Sequence, residues 1–312
     1  MIIKNAFKIL RERFGLSWIL ALYLALVILV VLAISLSFVL PVLSVFREAG
    51  IVEQADALWI AVFETGDVTY FGVQLSELWT AVVDVFTYRD EELTILSLVM
   101  FIICVLVFRF LIGFYEIPLL KILEGNLSYN AKLSFSNRFL ASSGVSSKFA
   151  PSKFAITLLF DAIFFGIMYF MFTLFFLPIW QAIAPTIIIL YLVLGLAFRS
   201  SLIAFWSPKV VVGKSGVRNG FRYSLRKSAK HFGGVYVTFI LIWAVILLTN
   251  IFLGVFTFGL ALIATIPISM LLLNIVNIVL YYERTGRRYW IDGKIVTPKH
   301  PRADAIMAQE DV

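Results

Sequence analysis

Six long apolar runs divide the chain, and polar residues collect between them. A helix needs about 20 apolar residues to cross the roughly 30 Å of hydrocarbon in a bilayer. Each of the six runs reaches that length. We therefore predict six transmembrane helices, at Leu16–Val42, Leu93–Phe114, Phe154–Phe176, Ile183–Phe205, Val235–Phe256 and Leu260–Tyr282.

The segment between the first two runs has a different pattern. Within residues 44–92, apolar residues recur at helical spacing in two stretches. This periodicity predicts two amphipathic helices, with Gly66 and Gly72 marking the break and Ser76 as a candidate N-cap of the second helix. Their apolar faces have to be covered by lipid, by this protein's own helices or by a partner, because such faces are rarely left in water.

The second and fourth runs end in the same pattern. Arg109 and Pro118 recur 90 positions later as Arg199 and Pro208, and a basic stretch and another apolar run follow each proline. Two explanations stay open. The chain contains a duplicated unit, which gives two parallel repeat hairpins, or helix ends of this kind simply prefer an aromatic residue, an arginine and a proline.

Bases at four-residue steps follow Pro208. They are Arg218, Arg222, Arg226 and Lys230. One basic stripe beside an apolar run predicts an interfacial helix whose bases contact anionic lipid headgroups. A weaker basic stretch also follows Pro118, so an architectural role at the cytoplasmic surface explains the pattern as well.

Few polar residues lie inside the apolar runs. Asp161 is the only acid well within one, and an intramembrane carboxylate is by default a functional candidate. The sequence shows no arginine or histidine at a comparable depth to pair with it. Asn250, Asn274 and Asn277 are expected to form hydrogen bonds between helices, which the residue types favour over an ion or substrate site.

Composition and the placement of charge support a membrane protein with a fixed orientation. Hydrophobic residues make up 61% of the chain and charged residues 14%, with a net charge of +7. Residues 47–92 hold ten acids and two bases, residues 109–153 six bases and two acids, and residues 199–230 eight bases and no acid. Because short cytoplasmic loops accumulate lysine and arginine, we predict an inner (plasma) membrane protein with both termini in the cytoplasm.

These patterns together predict an all-α integral membrane protein, a six-helix bundle with interfacial amphipathic helices and a short cytoplasmic β-hairpin. The hairpin is expected because Asp292-Gly293 separates two short runs, a strong two-residue turn signal. The predicted organisation is a basic flank with helix 1 (1–43), an extracytoplasmic acidic segment (44–92), helices 2–6 with basic cytoplasmic loops at 109–153 and 206–234 (93–282), and a cytoplasmic tail (283–312).

No motif for a reaction is present. The chain has no Walker loop, no HExxH and no G-x-S-x-G, and its only histidines, His231 and His300, lie outside the apolar runs. The single cysteine, Cys104, cannot form an intramolecular disulfide. We therefore predict no catalytic residue, no metal site and no cofactor. The basic stretches lie beside apolar runs and contain aromatic residues, which favours lipid over nucleic acid.

The segment Arg199–Phe232 resembles a broad group of bacterial multi-spanning proteins related to the membrane domain of glycerophosphodiester phosphodiesterases. In that group an apolar segment and a glycine precede a basic helix that leads into the next span. The counterparts here are Pro208–Gly213 and Gly220–Phe232. Val212 stands where that group often has an acid, and no phosphodiesterase catalytic domain is attached. The resemblance implies a fold and not the phosphodiesterase activity.

Three functions fit the sequence. The leading hypothesis is a scaffold or accessory subunit without catalytic activity, which binds anionic phospholipids and either a membrane or envelope protein or a second copy of itself. The second is a transporter or lipid-handling permease, which requires Asp161 and the three asparagines to line one cavity. The third is a membrane-bound lipid enzyme, whose carboxylates and bases would meet at the headgroup level.

Overall fold

The computed structural model describes residues 2–60, 68–85, 91–129, 135–175, 180–291 and 293–298. These ranges contain twelve helices and two short strands. In chain order they are α1 (Ile2–Glu12), α2 (Gly15–Glu48), α3 (Ile51–Ile60), α4 (Val68–Asp84), α5 (Glu91–Phe114), α6 (Glu116–Tyr129), α7 (Phe135–Phe175), α8 (Trp180–Ile203), α9 (Trp206–Val211), α10 (Val217–Lys230), α11 (Phe232–Phe256), α12 (Leu262–Thr285), β1 (Tyr289–Ile291) and β2 (Lys294–Val296).

Six of these helices are long and apolar enough to cross a membrane, as predicted. Much of their apolar surface is exposed; Leu159 and Phe170 of α7, for example, are 65% and 62% exposed. Such surfaces are typical of helices surrounded by lipid. The six segments are Gly15–Leu36, Leu98–Ser128, Ser147–Thr173, Ile188–Val211, Phe232–Phe256 and Leu262–Thr285, and they indicate a multi-pass membrane protein.

One compact unit consists of Met1–Leu24 and Phe110–Val312. Its core surrounds the second half of α12, where Ile275, Val276, Ile278 and Val279 are fully buried. Helix α1 packs on α12, α6 packs on α7, and α8 packs along α11. The amphipathic N-terminal helix therefore contributes its buried face, which includes Ala6 and Ile9, to the protein core.

The other compact unit, Ala25–Arg109, contains α3 and α4. Two helices were predicted here and two are present, but their boundary was predicted wrongly. Helix α4 already begins at Val68, so Ser76 and Gly72 lie inside it and neither caps nor breaks it. A glycine inside a helix costs only about 1 kcal/mol relative to alanine, which neighbouring helix formers outweigh. Gly66 lies outside the described residues.

Helices α3 and α4 cover part of each other's apolar surface. Ile51 and Val85 are buried, and Leu78 and Val82 pack against them. Trp79, on another side of α4, remains 69% exposed. The pairing of the two helices therefore accounts for one apolar stripe of α4 and leaves a second one uncovered within this unit.

The segments 109–153 and 206–234, which were predicted as basic connections between spans with an interfacial helix in the second, are largely helical. The end of α5, helix α6 and the first half of α7 occupy most of the first segment, and α9, α10 and the start of α11 occupy most of the second. Apolar residues at helical spacing in both segments favour these helices. These short helices are the parts of the chain that carry the bases of both segments.

Helix α8 ends just before Phe205 and helix α5 ends just before Tyr115, and a new helix starts at once in both places. Pro118 and Pro208 are each the third residue of the new helix. Proline is tolerated there because first-turn amides have no partner within the helix.

The backbone turns after α5 and α8 also share one hydrogen bond. The amide of Leu119 donates to the carbonyl of Tyr115 at 3.0 Å, and the amide of Lys209 donates to the carbonyl of Phe205 at 2.9 Å. These two bonds lie 90 positions apart. The two chain segments therefore share the first backbone bond of the new helix, although one residue separates α5 from α6 and two separate α8 from α9.

The C-terminal strands form the predicted hairpin. Strand β1 pairs antiparallel with β2, and Ile291 lies opposite Lys294. Only Asp292 and Gly293 separate them. Gly293 has a φ of +70°, in the left-handed region that such two-residue turns require. The prediction from the Asp-Gly pair is confirmed.

The hairpin packs on the rest of its unit through β1. Tyr289 is fully buried, and β1 contacts α1 and α6. Nδ2 of Asn5 donates to the Tyr289 hydroxyl at 2.8 Å, and that hydroxyl donates to Oε1 of Glu283 at 2.6 Å. Burial raises the pKa of Tyr289, and the adjacent Glu283 carboxylate raises it further. These bonds connect the two ends of the described chain.

Replacing Tyr289 with phenylalanine is expected to destabilise this connection. The change removes one bond to a carboxylate and one to an amide, and a hydrogen bond to a charged group contributes about 1.5–3 kcal/mol. We expect a loss of about 2 kcal/mol, measured by thermal unfolding of the protein in detergent. The control is Tyr236→Phe, because the Tyr236 hydroxyl is exposed and lies 3.4 Å from its acceptor. Equal melting temperatures for the two variants would contradict the expectation.

Candidate functional site

Helix α10 has two opposite faces of different chemistry. Gly220, Ser224 and Ser228, here called the small face, recur every four residues and are buried. The four bases, here called the basic face, recur with the same step but two residues earlier, and all four are exposed. Two residues correspond to about 200° around a helix. The two faces therefore point in nearly opposite directions. The basic face consists of Arg218, Arg222, Arg226 and Lys230.

The small face allows α10 to approach α9 closely. A Cβ added at Gly220 would lie 2.9 Å from Cγ2 of Val210 and 3.2 Å from Cδ1 of Trp206. Both distances are shorter than ordinary van der Waals contacts. The indole Nε1 of Trp206 also donates to the carbonyl of Val217, at 2.9 Å, in the first turn of α10. A larger residue at position 220 would push the two helices apart.

The two serines of the small face bind the end of α8. Oγ of Ser224 donates to the carbonyl of Leu202 at 2.8 Å and accepts from the amide of Phe205 at 3.2 Å. Oγ of Ser228 donates to the carbonyl of Ser201 at 2.6 Å. The last carbonyls of a helix have no partner within it, so these hydroxyls satisfy groups that the break after α8 leaves free.

A row of aromatic rings runs beside α10. Trp206 contacts Phe221 with ring centroids 4.8 Å apart, Phe221 contacts Phe160 at 5.8 Å, and Phe160 contacts Phe164 at 6.1 Å. From Phe164 the row continues to the partly exposed rings of α8 and α11, which are Phe198, Phe232 and Tyr236. The row therefore connects α10 to the side chains of α7, α8 and α11.

Lys153 is a buried base that the sequence did not single out. Only 8% of the residue is exposed, although it belongs to the basic segment that was counted as a charged flank. Its Nζ forms an ion pair with Oε2 of Glu116, the first residue of α6, and donates to Oγ of Ser207 in α9 at 2.8 Å. The ammonium also lies 5.7 Å from the ring of Trp206. Lys153 therefore joins α7 to both short helices that follow the breaks.

Asp161 has a partner, contrary to the expectation from the sequence. Nε of Arg199 donates to Oδ1 of Asp161 at 2.7 Å, and Nη2 donates to Oδ2 at 2.9 Å. The side chains are 14% and 15% exposed. Arg199 was noted for its place in the repeat pattern and not for its depth. The relative position of α7 and α8, which decides the pairing, is not visible in the linear sequence.

The three asparagines do not form one cluster with Asp161. Asn250 of α11 bonds to Oγ of Ser269 at 3.1 Å and accepts from the hydroxyl of Thr265 at 2.6 Å, both in α12. Asn274 donates to a carbonyl of its own helix. The amide oxygens of Asn274 and Asn277 are buried and have no partner among the described residues. Only Asn250 has the interhelical role that the sequence predicted.

The remaining repeat positions lie in the helices around the breaks. Arg109 is a partly exposed residue of α5, and Pro118 and Pro208 are buried near the starts of α6 and α9. Neither proline carries a functional group. Their placement supports a structural role for the repeat pattern.

The described part of the chain contains no group of three or more metal-ligating side chains. His231 lies between α10 and α11, and His300 lies outside the described residues. Two ion pairs within the described residues, at Lys153 and Arg199, connect helices to one another. The arrangement offers the exposed basic face as the main surface for an external ligand.

Comparisons with known proteins returned no match. No family model matches the chain, and neither a curated protein nor a solved structure does. The resemblance to the membrane domain of glycerophosphodiester phosphodiesterases therefore stays a prediction. Function has to be argued from the geometry of this chain.

Proposed function

We propose that this protein is a non-catalytic scaffold or accessory subunit of the bacterial inner membrane, which binds anionic lipid headgroups through α10 and also binds a protein partner. The observation that carries the proposal is the division of α10 into two faces. The small face is occupied by α8 and α9, so the exposed basic face is available to a ligand. Each base near an anionic surface contributes about 1 kcal/mol to association with it.

The proposed orientation follows from charge. The eight bases of residues 199–230 and the six of residues 109–153 belong on the cytoplasmic side. With six crossings, both termini are cytoplasmic and the acidic segment 44–92 is extracytoplasmic.

We infer that the repeat pattern reflects a duplicated unit. The equivalent positions of Pro118 and Pro208 support this, as do the matching turn bonds at Tyr115 and Phe205. Duplication places a short helix after each break, and Lys153 contacts both of these short helices. The unit is therefore proposed to be architecture that positions α10 at the cytoplasmic surface.

The polar contacts favour a scaffold over a transporter. A transport path needs Asp161 and the asparagines to face one cavity. Asp161 instead bonds to Arg199 of α8, whereas Asn250 bonds to two residues of α12. These groups serve separate helix pairs, which is the usual use of polar side chains within membrane bundles.

Reversing three charges of the basic face is expected to remove the lipid preference of α10. A fluorophore on Ala229→Cys, in a Cys104→Ala background, lies exposed on the basic side of the helix. In nanodiscs, spin-labelled phosphatidylglycerol should quench it more than spin-labelled phosphatidylcholine. Because each base contributes about 1 kcal/mol, changing Arg218, Arg222 and Arg226 to Glu should lower that preference by roughly tenfold or more.

A matched variant controls for total charge. Changing Lys4, Arg11 and Lys294 to Glu alters the net charge equally, and these exposed residues lie outside α10. That variant is expected to keep the quenching preference. If both variants behave alike, or if the reversed α10 keeps its preference, the basic face does not bind lipid and the proposal fails.

A further inference from the structure

Arg284, in the last turn of α12, carries a guanidinium that the protein leaves unpaired. The residue is partly buried, and its Nε atom is fully covered and has no hydrogen-bond partner. No ion pair or other hydrogen bond joins the guanidinium to any residue that the structure describes. The adjacent carboxylate, Glu283, instead accepts from the Tyr289 hydroxyl. A partly buried charge without a partner is costly, so the guanidinium indicates a counter-ion from outside the described chain.

The guanidinium lies beside the first turn of α11. Helices α11 and α12 pack together, and a Cβ added at Gly234 would lie 3.0 Å from Nη2 of Arg284. That distance is shorter than an ordinary van der Waals contact. A side chain at position 234 would therefore push the guanidinium away from the helix start, whereas the glycine allows the close approach.

The first turn of α11 presents free backbone donors. Its first backbone bond runs from the amide of Val235 to the carbonyl of His231, and no side-chain hydrogen bond caps the helix. The amides of residues 232–234 consequently have no partner within the helix. Gly233 and Gly234 are both exposed, and a Cβ added at Gly233 would meet no atom within 4 Å. The backbone of this turn is therefore open to an external group.

Two positive features meet at this turn. The helix dipole places a partial positive charge at the start of α11, where cations are unfavourable. Arg284 adds a full positive charge at the same place, and Lys230, the last residue of the basic face, is exposed two residues before the helix. Because none of this charge is neutralised by an ion pair of Arg284 within the described residues, an anion at the turn relieves the repulsion.

We propose that the Arg284 guanidinium and the first-turn amides of α11 bind one phosphate group. The planar donors of a guanidinium match two phosphate oxygens, and helix N-terminal amides bind the others. Since Nε is fully covered and the Nη atoms are not, the phosphate contacts the Nη side of Arg284. The inference rests on the proposed binding of headgroups by α10 and specifies the group recognised. The phosphate belongs either to a lipid headgroup or to free phosphate.

Removing the guanidinium tests the site directly. We expect Arg284→Gln to retain dioleoylphosphatidylglycerol about tenfold less tightly, measured by native mass spectrometry of the full chain titrated with that lipid. Arg288→Gln is the matched control, because it removes the same charge from an exposed residue four positions later. It is expected to retain the lipid within about twofold of the unsubstituted protein. Equal retention by Arg284→Gln and the unsubstituted protein would overturn the site.

Melting temperatures distinguish a ligand site from a structural role of Arg284. Without lipid, Arg284→Gln should melt no lower than Arg288→Gln, since it removes no bond to the described residues. Added phosphatidylglycerol should raise the melting temperature of Arg288→Gln more than that of Arg284→Gln, because a ligand stabilises the state that binds it. A lower melting temperature without lipid, combined with an unchanged rise on adding it, would assign Arg284 a structural role and contradict the proposal.

Two alanine variants test the close approach at the helix start. Gly234→Ala places a methyl group against Nη2 of Arg284, whereas Gly233→Ala adds the same group in open space. Both changes have the same effect on helix propensity. We expect Gly234→Ala to retain the lipid several-fold less tightly and Gly233→Ala to retain it more tightly than Gly234→Ala. Equal retention by the two variants would show that the position of the guanidinium beside α11 is not needed, against the proposal.

The source of the phosphate is decided by three probes. Dioleoylglycerol has the acyl chains of the lipid and no phosphate, so Arg284-dependent retention of it would overturn phosphate recognition. Calorimetry of the full chain with inorganic phosphate in uncharged detergent should show binding that Arg284→Gln weakens if the ligand is free phosphate. Absence of heat, together with Arg284-dependent retention of phosphatidylglycerol, assigns the site to lipid headgroups. If Arg284→Gln affects neither phosphate nor phosphatidylglycerol, the inference is wrong.

The outcomes for this site and for the basic face of α10 are separable. If the triple Arg→Glu variant of α10 loses its lipid preference while Arg284→Gln retains phosphatidylglycerol fully, the phosphate site is refuted and the proposed function stands. If the triple variant keeps its preference and Arg284→Gln loses affinity, the proposed role of the basic face is refuted and the phosphate site is supported.

Discussion

Changing Lys153 to methionine is expected to lower the free energy of unfolding by about 3 kcal/mol, because it removes one partner of a buried ion pair. Glu116 then loses the ammonium that pairs with it, Ser207 loses a donor, and the Trp206 ring loses its cation. Methionine has a similar length and no charge, so the change tests the charge more than the packing. The measurement is denaturant unfolding of the protein in mixed micelles.

Two further variants make this expectation specific. Lys148→Met changes an exposed lysine of the same helix and is expected to cost less than about 0.5 kcal/mol. Adding Glu116→Gln to Lys153→Met should restore part of the lost stability, because the carboxylate that lost the ammonium is then gone. A Lys153→Met variant as stable as Lys148→Met would show that the pair contributes nothing to stability.

The position of Lys153 also predicts which helices unfold locally more often when the lysine is replaced. Its contacts join α7 to α6 and α9, and α9 in turn supports α10 through Trp206 and Gly220. Loss of the lysine should therefore increase hydrogen exchange of backbone amides in α9 and in the first turns of α10. Exchange in the C-terminal hairpin should stay unchanged, since β1 is held by Asn5 and Glu283 through Tyr289.

Local sequence patterns predicted the elements of this fold that are determined by residues close together in the sequence. Six apolar runs gave six long helices, and Asp292-Gly293 gave the hairpin, because each signal lies within the element it forms. The start of α4 was missed because a serine and a glycine give only weak boundary signals. Segment 109–153 was predicted only as a basic, weakly amphipathic connection, and its individual helices were not placed.

The sequence did not predict the contacts between helices. Asp161 and Arg199 were both noticed, but their pairing depends on how α7 lies along α8, and Lys153 was counted as a surface base because its burial depends on α6 and α9. The small face of α10 had a detectable signal, since Gly220, Ser224 and Ser228 recur opposite the bases. The bases of the same helix give the stronger signal, so the small face was not predicted.

Changing Asp161 to asparagine is expected to be the second strongly destabilising substitution, with a cost of about 3 kcal/mol, since it leaves Arg199 charged and unpaired within a span. Both oxygens of the carboxylate accept bonds from the guanidinium. Arg199→Lys should also be harmful, because a lysine cannot reproduce two parallel bonds. Thermal unfolding in detergent measures both.

Variants at Asp161 and Arg199 also distinguish two roles for Asp161, a structural ion pair and a carboxylate that takes part in transport. Replacing Asp161 and Arg199 together by leucine is expected to recover most of the stability, because well-packed apolar residues replace buried pairs at little cost. Asp56→Asn, on an exposed carboxylate of α3, controls for the chemical change and should be close to neutral. If Asp161→Asn proves as harmless as Asp56→Asn, the carboxylate is not needed to neutralise Arg199. A functional role for Asp161 inside the membrane would then become the better explanation of its position.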